Sequence, residues 1–259
     1  RWKSENASLL SVLDRTETSM GGRLLKKWIG QPLLNVQDIV RRQDSVNWFY
    51  RSTLRRETII GLLKSMSDIE RLVNRVCNSR ATPRDLVGLA KSLEVVPHIK
   101  LLLRDCDDAG QISWLSGDIC ENTEVIDLIR RAINDDPPQT VGDGKVIKQG
   151  FSSDLDSIRE VSLGAQEYIA SLERTERDRT GIKSLKVGFN RVFGYYIEIS
   201  KSNLSHVPEE YIRRQTLVGG ERFITPEMKE YESRILNAQD RIEDIEQDLF
   251  RQVCQQIVG

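Results

Sequence analysis

The residues whose types and spacing could do chemistry lie between positions 182 and 225. Seven cations, Lys183, Lys186, Arg191, Lys201, Arg213, Arg214 and Arg222, stand against four acids, Glu198, Glu209, Glu210 and Glu221, a local net charge of +3. The whole chain of 259 residues carries 38 Lys and Arg against 39 Asp and Glu, so its net charge is −1 and everything outside this segment carries −4. Phosphates are contacted by Lys, Arg and backbone N–H groups regardless of base sequence, so a basic lobe carried by an acidic body has the charge that backbone binding requires. An ordinary solvated sheet reaches the same charge, and the signal alone does not separate the two. Since the chain is near neutral overall, any polyanion site must be local.

Other chemistries find less support. Cys77, Cys106, Cys120 and Cys254 are scattered, with neither a CxxC pair nor a neighbouring His at ligand spacing, so reduced, buried thiols are expected rather than zinc or disulfides. His98 and His206 have no Ser or Cys partner motif, which leaves a hydrolytic triad without sequence support. Gly142-Asp143-Gly144-Lys145 lacks both the spacing and the Ser or Thr of a phosphate-binding loop, so no ATP hydrolysis is expected of this stretch. Asp154 and Asp156 could be read as a nuclease pair, but two acids at a helix start more simply serve its cap and dipole.

These residues must be positioned by the surrounding elements, and the composition, 39% hydrophobic and 30% charged, is that of a chain able to bury a core. No run of about 18 apolar residues could span a bilayer, so no membrane partner is expected. No basic-then-apolar signal pattern opens the chain, and its start at Arg1-Trp2-Lys3 without Met reads as an excised fragment. Residues 1–150 read as short and medium helices. Leu24, Leu25 and Trp28 form one stripe. Thr82-Pro83-Arg84-Asp85 is a helix start followed by the apolar face Leu86, Leu89, Ala90 and Leu93. Asn134 to Gly144 carries the strongest loop chemistry.

From Ser152 a long helix is expected, with Leu155, Ile158, Ala165, Ile169 and Leu172 at heptad positions and Ser162 breaking the seam. Beyond it, Glu173 to Arg179 is polar on every side, the pattern of a helix bridging through solvent, and Gly181 is a C-cap. A second long helix starts at Thr225-Pro226-Glu227. Its residues Met228, Tyr231, Ile235, Ala238, Ile242, Ile245 and Leu249 are spaced 3, 4, 3, 4, 3, 4 along one seam. At about 1.5 Å per residue the two helices run roughly 43 and 50 Å, a matched antiparallel arm. Between them Leu185, Val187 and Phe189, then Tyr195, Ile197 and Ile199, alternate as a hairpin. A second hairpin is expected around Gly219-Gly220, where paired glycines allow the positive φ of a tight turn. Tyr195 falls on the apolar face, whereas Phe193 and Tyr196 are open to base stacking or to packing. The expected fold class is mainly α: a helical core with two long antiparallel lever helices and a small inserted antiparallel β clamp.

Two blocks carry a resemblance. One is Leu13-Asp14-Arg15-Thr16-Glu17-Thr18-Ser19-Met20-Gly21-Gly22-Arg23-Leu24-Leu25-Lys26-Lys27-Trp28 with Gln31-Pro32-Leu33. The other runs from Thr180-Gly181-Ile182-Lys183 through Val187-Gly188-Phe189-Asn190-Arg191-Val192-Phe193-Gly194-Tyr195-Tyr196 to Tyr211-Ile212-Arg213-Arg214-Gln215-Thr216-Leu217 and Glu221-Arg222-Phe223-Ile224-Thr225-Pro226-Glu227. The chain resembles the MutS family of DNA mismatch repair proteins over nearly its whole length. The resemblance implies residues 1–181 as helical core and outgoing lever, 182–225 as a clamp closing on the backbone of double-stranded DNA without base specificity, and 226–259 as the returning lever. Within that clamp the local charge of +3 and the turn positions make Lys183, Lys186, Arg191, Arg213 and Arg214, with the backbone at Gly219 and Gly220, the DNA-facing candidates. The resemblance further implies a DNA-dependent ATPase domain outside this chain that holds ATP and Mg, a dimer partner in the full-length protein, and a cytoplasmic, nucleoid-associated location. No catalytic residue, metal or cofactor is expected in residues 1–259, and the mismatch-reading Phe-x-Glu motif does not occur. One departure stands out: where members of the family often carry Lys-Asn after Gln-Thr-Leu, this chain has Val218-Gly219-Gly220. The alternative is a structural coiled-coil arm bearing a small sheet for protein contact.

Overall fold

The computed structural model describes residues 8–104, 112–190, 192 and 194–259. The chain divides into two compact units, Arg1–Thr140 with Phe250–Gly259, and Val141–Leu249.

The first unit is helical: α1 (Leu9–Leu13), α2 (Ser19–Gly30), α3 (Val36–Tyr50), α4 (Thr53–Lys64), α5 (Ile69–Cys77), α6 (Pro83–Leu93), α7 (Val96–Arg104), α8 (Ser113–Gly117) and α9 (Thr123–Ala132). Helix α6 begins as its sequence dictates. The Thr82 hydroxyl accepts from the Asp85 N–H at 3.2 Å, and the Asp85 carboxylate accepts from the Thr82 N–H at 2.8 Å, a reciprocal capping box with Pro83 in the first turn. Its expected face, Leu86, Leu89, Ala90 and Leu93, is buried. Pro97 stands in the first turn of α7. The stripe on α2 behaves differently: Leu24 and Trp28 are exposed, and Trp28 carries the Arg42 guanidinium 3.7 Å from its ring centroid. Helix α2 is held instead by charge, through Arg23 donating to Asp68 at 2.7 and 2.8 Å and to Glu70 at 3.0 Å. The expectation of buried thiols fails at Cys77 and Cys120, which are exposed; Cys77 follows Val76 on α5 and so points off the buried stripe of Leu72 and Val76. Cys106 lies outside the described residues.

The second unit holds α10 (Ser153–Thr180), a four-stranded antiparallel sheet and the part of α11 (Pro226–Val258) up to Leu249. Helix α10 buries Leu155, Ile158, Ser162, Ala165, Ile169 and Leu172, the seam expected from its heptads, with Ser162 included. It runs antiparallel to α11: Tyr168 stacks on Tyr231 with ring centroids 3.7 Å apart, while Arg159, earlier on α10, reaches Glu246, later on α11, at 3.4 Å. Strands β1 (Lys186–Asn190), β2 (Gly194–Ser200), β3 (Ile212–Thr216) and β4 (Gly220–Ile224) take the order β1-β2-β4-β3. The two hairpins stand where the alternation places them.

The turn chemistry of the second hairpin is not the expected one. Neither Gly219 nor Gly220 has positive φ; Gly220 is required because a Cβ there would lie 2.2 Å from the Ile199 carbonyl oxygen of the neighbouring strand. Gly220→Ala is therefore expected to destabilise the second unit by about 2 kcal/mol, the range of overpacking in a close-packed site, seen as a lowered midpoint in urea. In the first unit, Arg23 holds the Asp68 carboxyl at about 2, below its usual range, through direct hydrogen bonds. The stabilisation is present above the unfolded carboxyl value and disappears as pH falls from about 4 to about 2. Asp68→Asn keeps the helix cap and removes the charge. It is expected to lower stability by up to about 1 kcal/mol at pH 7, with the difference from wild type vanishing near pH 2 in acid titrations of urea unfolding.

Candidate nucleic-acid interface

The basic segment is built onto α10 from the helix end. Gly181, at φ 73°, caps α10 and turns the chain, after which Ile182 and Leu185 are buried and Lys183 and Lys186 are exposed. The inner face of the sheet, Val187, Tyr195, Ile197, Ile199 and Phe223, packs on Ala165, Ile169 and Leu172 of α10 and on Met228 and Ile235 of α11. Ile197, Ile199 and Met228 are fully buried, each contributing roughly 1.5–3 kcal/mol of transfer free energy.

The polar run on α10 is the second anchor, and here the sequence expectation is corrected. Residues 173–179 do not bridge through solvent. Glu176 is buried and accepts from the Tyr211 hydroxyl at 2.5 Å and from Arg179 at 2.7 Å, while Arg179 also donates to Glu210 at 2.6 Å. Burial first, and the Glu176 carboxylate second, push the Tyr211 hydroxyl above the ordinary tyrosine range, so it remains a donor at any physiological pH. Arg177 donates to the Leu185 carbonyl at 2.7 Å, and Glu173 accepts from the Val187 N–H at 2.9 Å, closing one open amide of edge strand β1. A run polar on all sides is what a helix needs when one side meets backbone and buried hydroxyl groups.

The outer face disposes of one cation. Arg222 donates to Glu198 and to Gln215, each at 3.0 Å, and lies 4.2 Å from the Tyr196 ring centroid. Tyr196 in turn lies across Gly188. Tyr196 is thus engaged in packing, and Phe193 lies outside the described residues. Arg213, on β3, is exposed and 3.5 Å from Glu221. Arg214 is the extra residue of a bulge, since Arg213 pairs with Phe223 and Gln215 with Arg222. It is exposed, and like Lys183 and Lys186 it meets no carboxylate among the described residues. Arg191 lies outside the described residues.

The end of β2 meets both the segment that holds Lys183 and the Gly219 turn: Ser184 accepts from Ser200 at 2.9 Å and from Asn203 at 2.8 Å, and the Lys201 N–H donates to the Gly219 carbonyl at 3.1 Å. Arg213 and Arg214 occupy β3, the edge opposite β1. Gly219 is exposed, Val218 beside it is 97% exposed, and Gly220 is buried between strands. Sequence reasoning counted Lys201 in the charge but did not select it. Its place immediately after the last alternating residue of β2 was the available signal.

Elsewhere the residues that could do other chemistry are locally engaged. Asp156 accepts from the Gly150 N–H at 2.7 Å and from Arg159 at 3.2 Å, and His98 contacts the Glu94 carbonyl one turn back. Among the described residues no three His, Cys, Asp or Glu side chains are grouped to hold a metal ion, and no helix is long and apolar enough to cross a membrane.

Comparison with known proteins agrees with this architecture. The family model for MutS domain III matches residues 2–259. The DNA mismatch repair protein MutS of Dehalococcoides mccartyi is 45% identical over 256 residues, 99% of this chain and 30% of the relative. That of Acetivibrio thermocellus is 49% identical over 251 residues, 96% and 29%, and that of Thermotoga maritima 45% over 250 residues, 96% and 31%. The chain spans about 30% of the length of these relatives. With a helical unit, a paired-helix arm and an inserted antiparallel sheet all in place, and the family match running through all of them, this chain belongs to the MutS domain III family.

Proposed function

We propose that residues 182–225 close on the sugar-phosphate backbone of duplex DNA, without reading bases, as the clamp of a mismatch repair protein, and that α10 and α11 are the levers that carry it. The observation that carries this reading is the trio Lys183, Lys186 and Arg214, exposed on the two edges of a sheet of net charge +3 and meeting no carboxylate among the described residues. Lys201, at the end of β2, and the exposed backbone of Gly219, in the turn between β3 and β4, add to these at one end of the sheet. Arg222 contributes least, since Glu198 neutralises it, and Arg213 is partly offset by Glu221. The relatives bear the name DNA mismatch repair protein MutS, which supports the substrate.

In the longer polypeptide the levers would couple clamp closure to an ATPase domain holding ATP and Mg outside residues 1–259, and the full protein would act as a dimer. Paired stiff helices support this because they transmit rigid-body motion. The other reading, a sheet used for protein contact, draws on Val218, whose apolar side chain is almost wholly in solvent.

Each phosphate contact contributes about 0.9 to the slope of log K against log salt. The double reversal Lys183→Glu with Arg214→Glu is expected to reduce that slope by about 2 and to weaken binding to any duplex sequence alike, measured by fluorescence anisotropy between 50 and 200 mM salt. Unchanged affinity and slope would refute the assignment, and absence of duplex binding by the unaltered chain at low salt would favour the protein-contact reading.

A further inference from the structure

The Gly142-Asp143-Gly144-Lys145 stretch, which lacks the pattern of a nucleotide-binding loop, cradles an anion all the same. The anion is a side chain of the second unit itself. Glu246 of α11 is fully buried, and its carboxylate accepts four backbone N–H groups: Gly142 at 3.0 Å, Gly144 at 2.9 Å, Val146 at 2.8 Å and Ile147 at 3.1 Å. Arg159 of α10 takes the complementary groups of the same loop, donating to the Gly144 carbonyl at 2.7 Å and the Ile147 carbonyl at 2.8 Å, and stands 3.4 Å from Glu246. The loop conformation is specific to this use. Gly144 has φ +70°, and a Cβ there would lie 2.9 Å from the Ile242 side chain. One helix thus holds the loop by its N–H groups and the other by its carbonyls, at the end of the arm remote from the sheet.

We infer that Glu246, with Arg159, is the positioning device of the arm, a pin that locks α10 and α11 together at their root and so determines where the sheet stands. Arg159 and Arg179, beside the sheet, are separated by 20 residues of α10, or about 30 Å at 1.5 Å per residue. A tilt of about 5° at the root would move the sheet by roughly 3 Å, the length of a hydrogen bond and enough to forfeit a phosphate contact. A carboxylate suits this task better than an amide. Both of its oxygens accept, whereas a glutamine would turn an NH2 group toward two of the four N–H donors.

The purpose of the pin rests on the reading under Proposed function; its existence does not. The test uses paired spin labels on the full 259-residue chain with Cys77, Cys106, Cys120 and Cys254 replaced by Ser. One pair, at Ser157→Cys and Gln247→Cys, spans the root; the other, at Ser157→Cys and Val218→Cys, joins the root to the turn beside Gly219. Glu246→Gln is expected to broaden both distance distributions at least twofold at a temperature where circular dichroism shows full helix content, whereas Asp240→Asn on the same helix leaves them narrow. Unchanged root distances would overturn the pin, and a broadened root with an unchanged root-to-turn distance would overturn its positioning role. Should Glu246→Gln fail to fold, Arg159→Met, which removes the one nitrogen that donates to both the Gly144 and Ile147 carbonyls, is read by the same two distances. Because no DNA is present, loss of duplex binding in the unaltered chain would overturn the clamp reading and leave this inference intact.

Discussion

The seam between α10 and α11 is the constraint on which the second unit depends. Helices of this length draw most of their stability from a buried face rather than from intrinsic propensity, so every turn that meets neither a partner nor a loop is a place to fray. Here the seam is occupied throughout. The sheet core of Ile197, Ile199 and Met228, with Tyr168 stacked on Tyr231 against it, closes one end, and the Glu246 carboxylate in its cradle of amides closes the other. The two ends use opposite physics. Non-directional apolar burial holds the sheet, and directional hydrogen bonds to a buried carboxylate hold the root.

The charge of the sheet is less available than its sum implies. Of the described cations, Arg222 is tied to Glu198 and stacked on Tyr196, and Arg213 stands near Glu221, so the free positive charge concentrates at Lys183, Lys186, Lys201 and Arg214. Lys186 and Arg214 lie on opposite edge strands, with Lys183 just before β1 and Lys201 just after β2, rather than on one face. Such a distribution suits an element that touches phosphates with its rim while its faces are spent on packing. At the tip, Val218-Gly219 presents an exposed backbone and an apolar side chain in place of a cation.

The correction at the polar run of α10 has a long-range cause. Glu173 to Arg179 was legible as polar on every side, but its partners, the Tyr211 hydroxyl and the backbone of Leu185 and Val187, are brought to it only when the sheet folds back onto the helix. Glu246 sits one position beyond Ile245 in a clean apolar repeat, where no neighbour in the sequence marks it for burial. Its four donors lie about a hundred residues earlier in the chain. Leu24 and Trp28 repeat the case with the opposite sign: an apolar stripe that periodicity assigns to a core remains at the surface.

What the sequence determined by itself is whatever is decided within a few residues: the capping box at Thr82, the helix end at Gly181, the heptad register of both long helices, the alternation of the strands and the family blocks that run through them. These follow from local sterics, hydrogen bonds across one turn and the periods 3.6 and 2, all of which are written in neighbouring side chains. Only the tertiary structure decided which polar groups are buried and which cations are free. A carboxylate at the surface and one in a cradle of amides have the same neighbours in sequence, and their difference lies in donors that the chain delivers from far away.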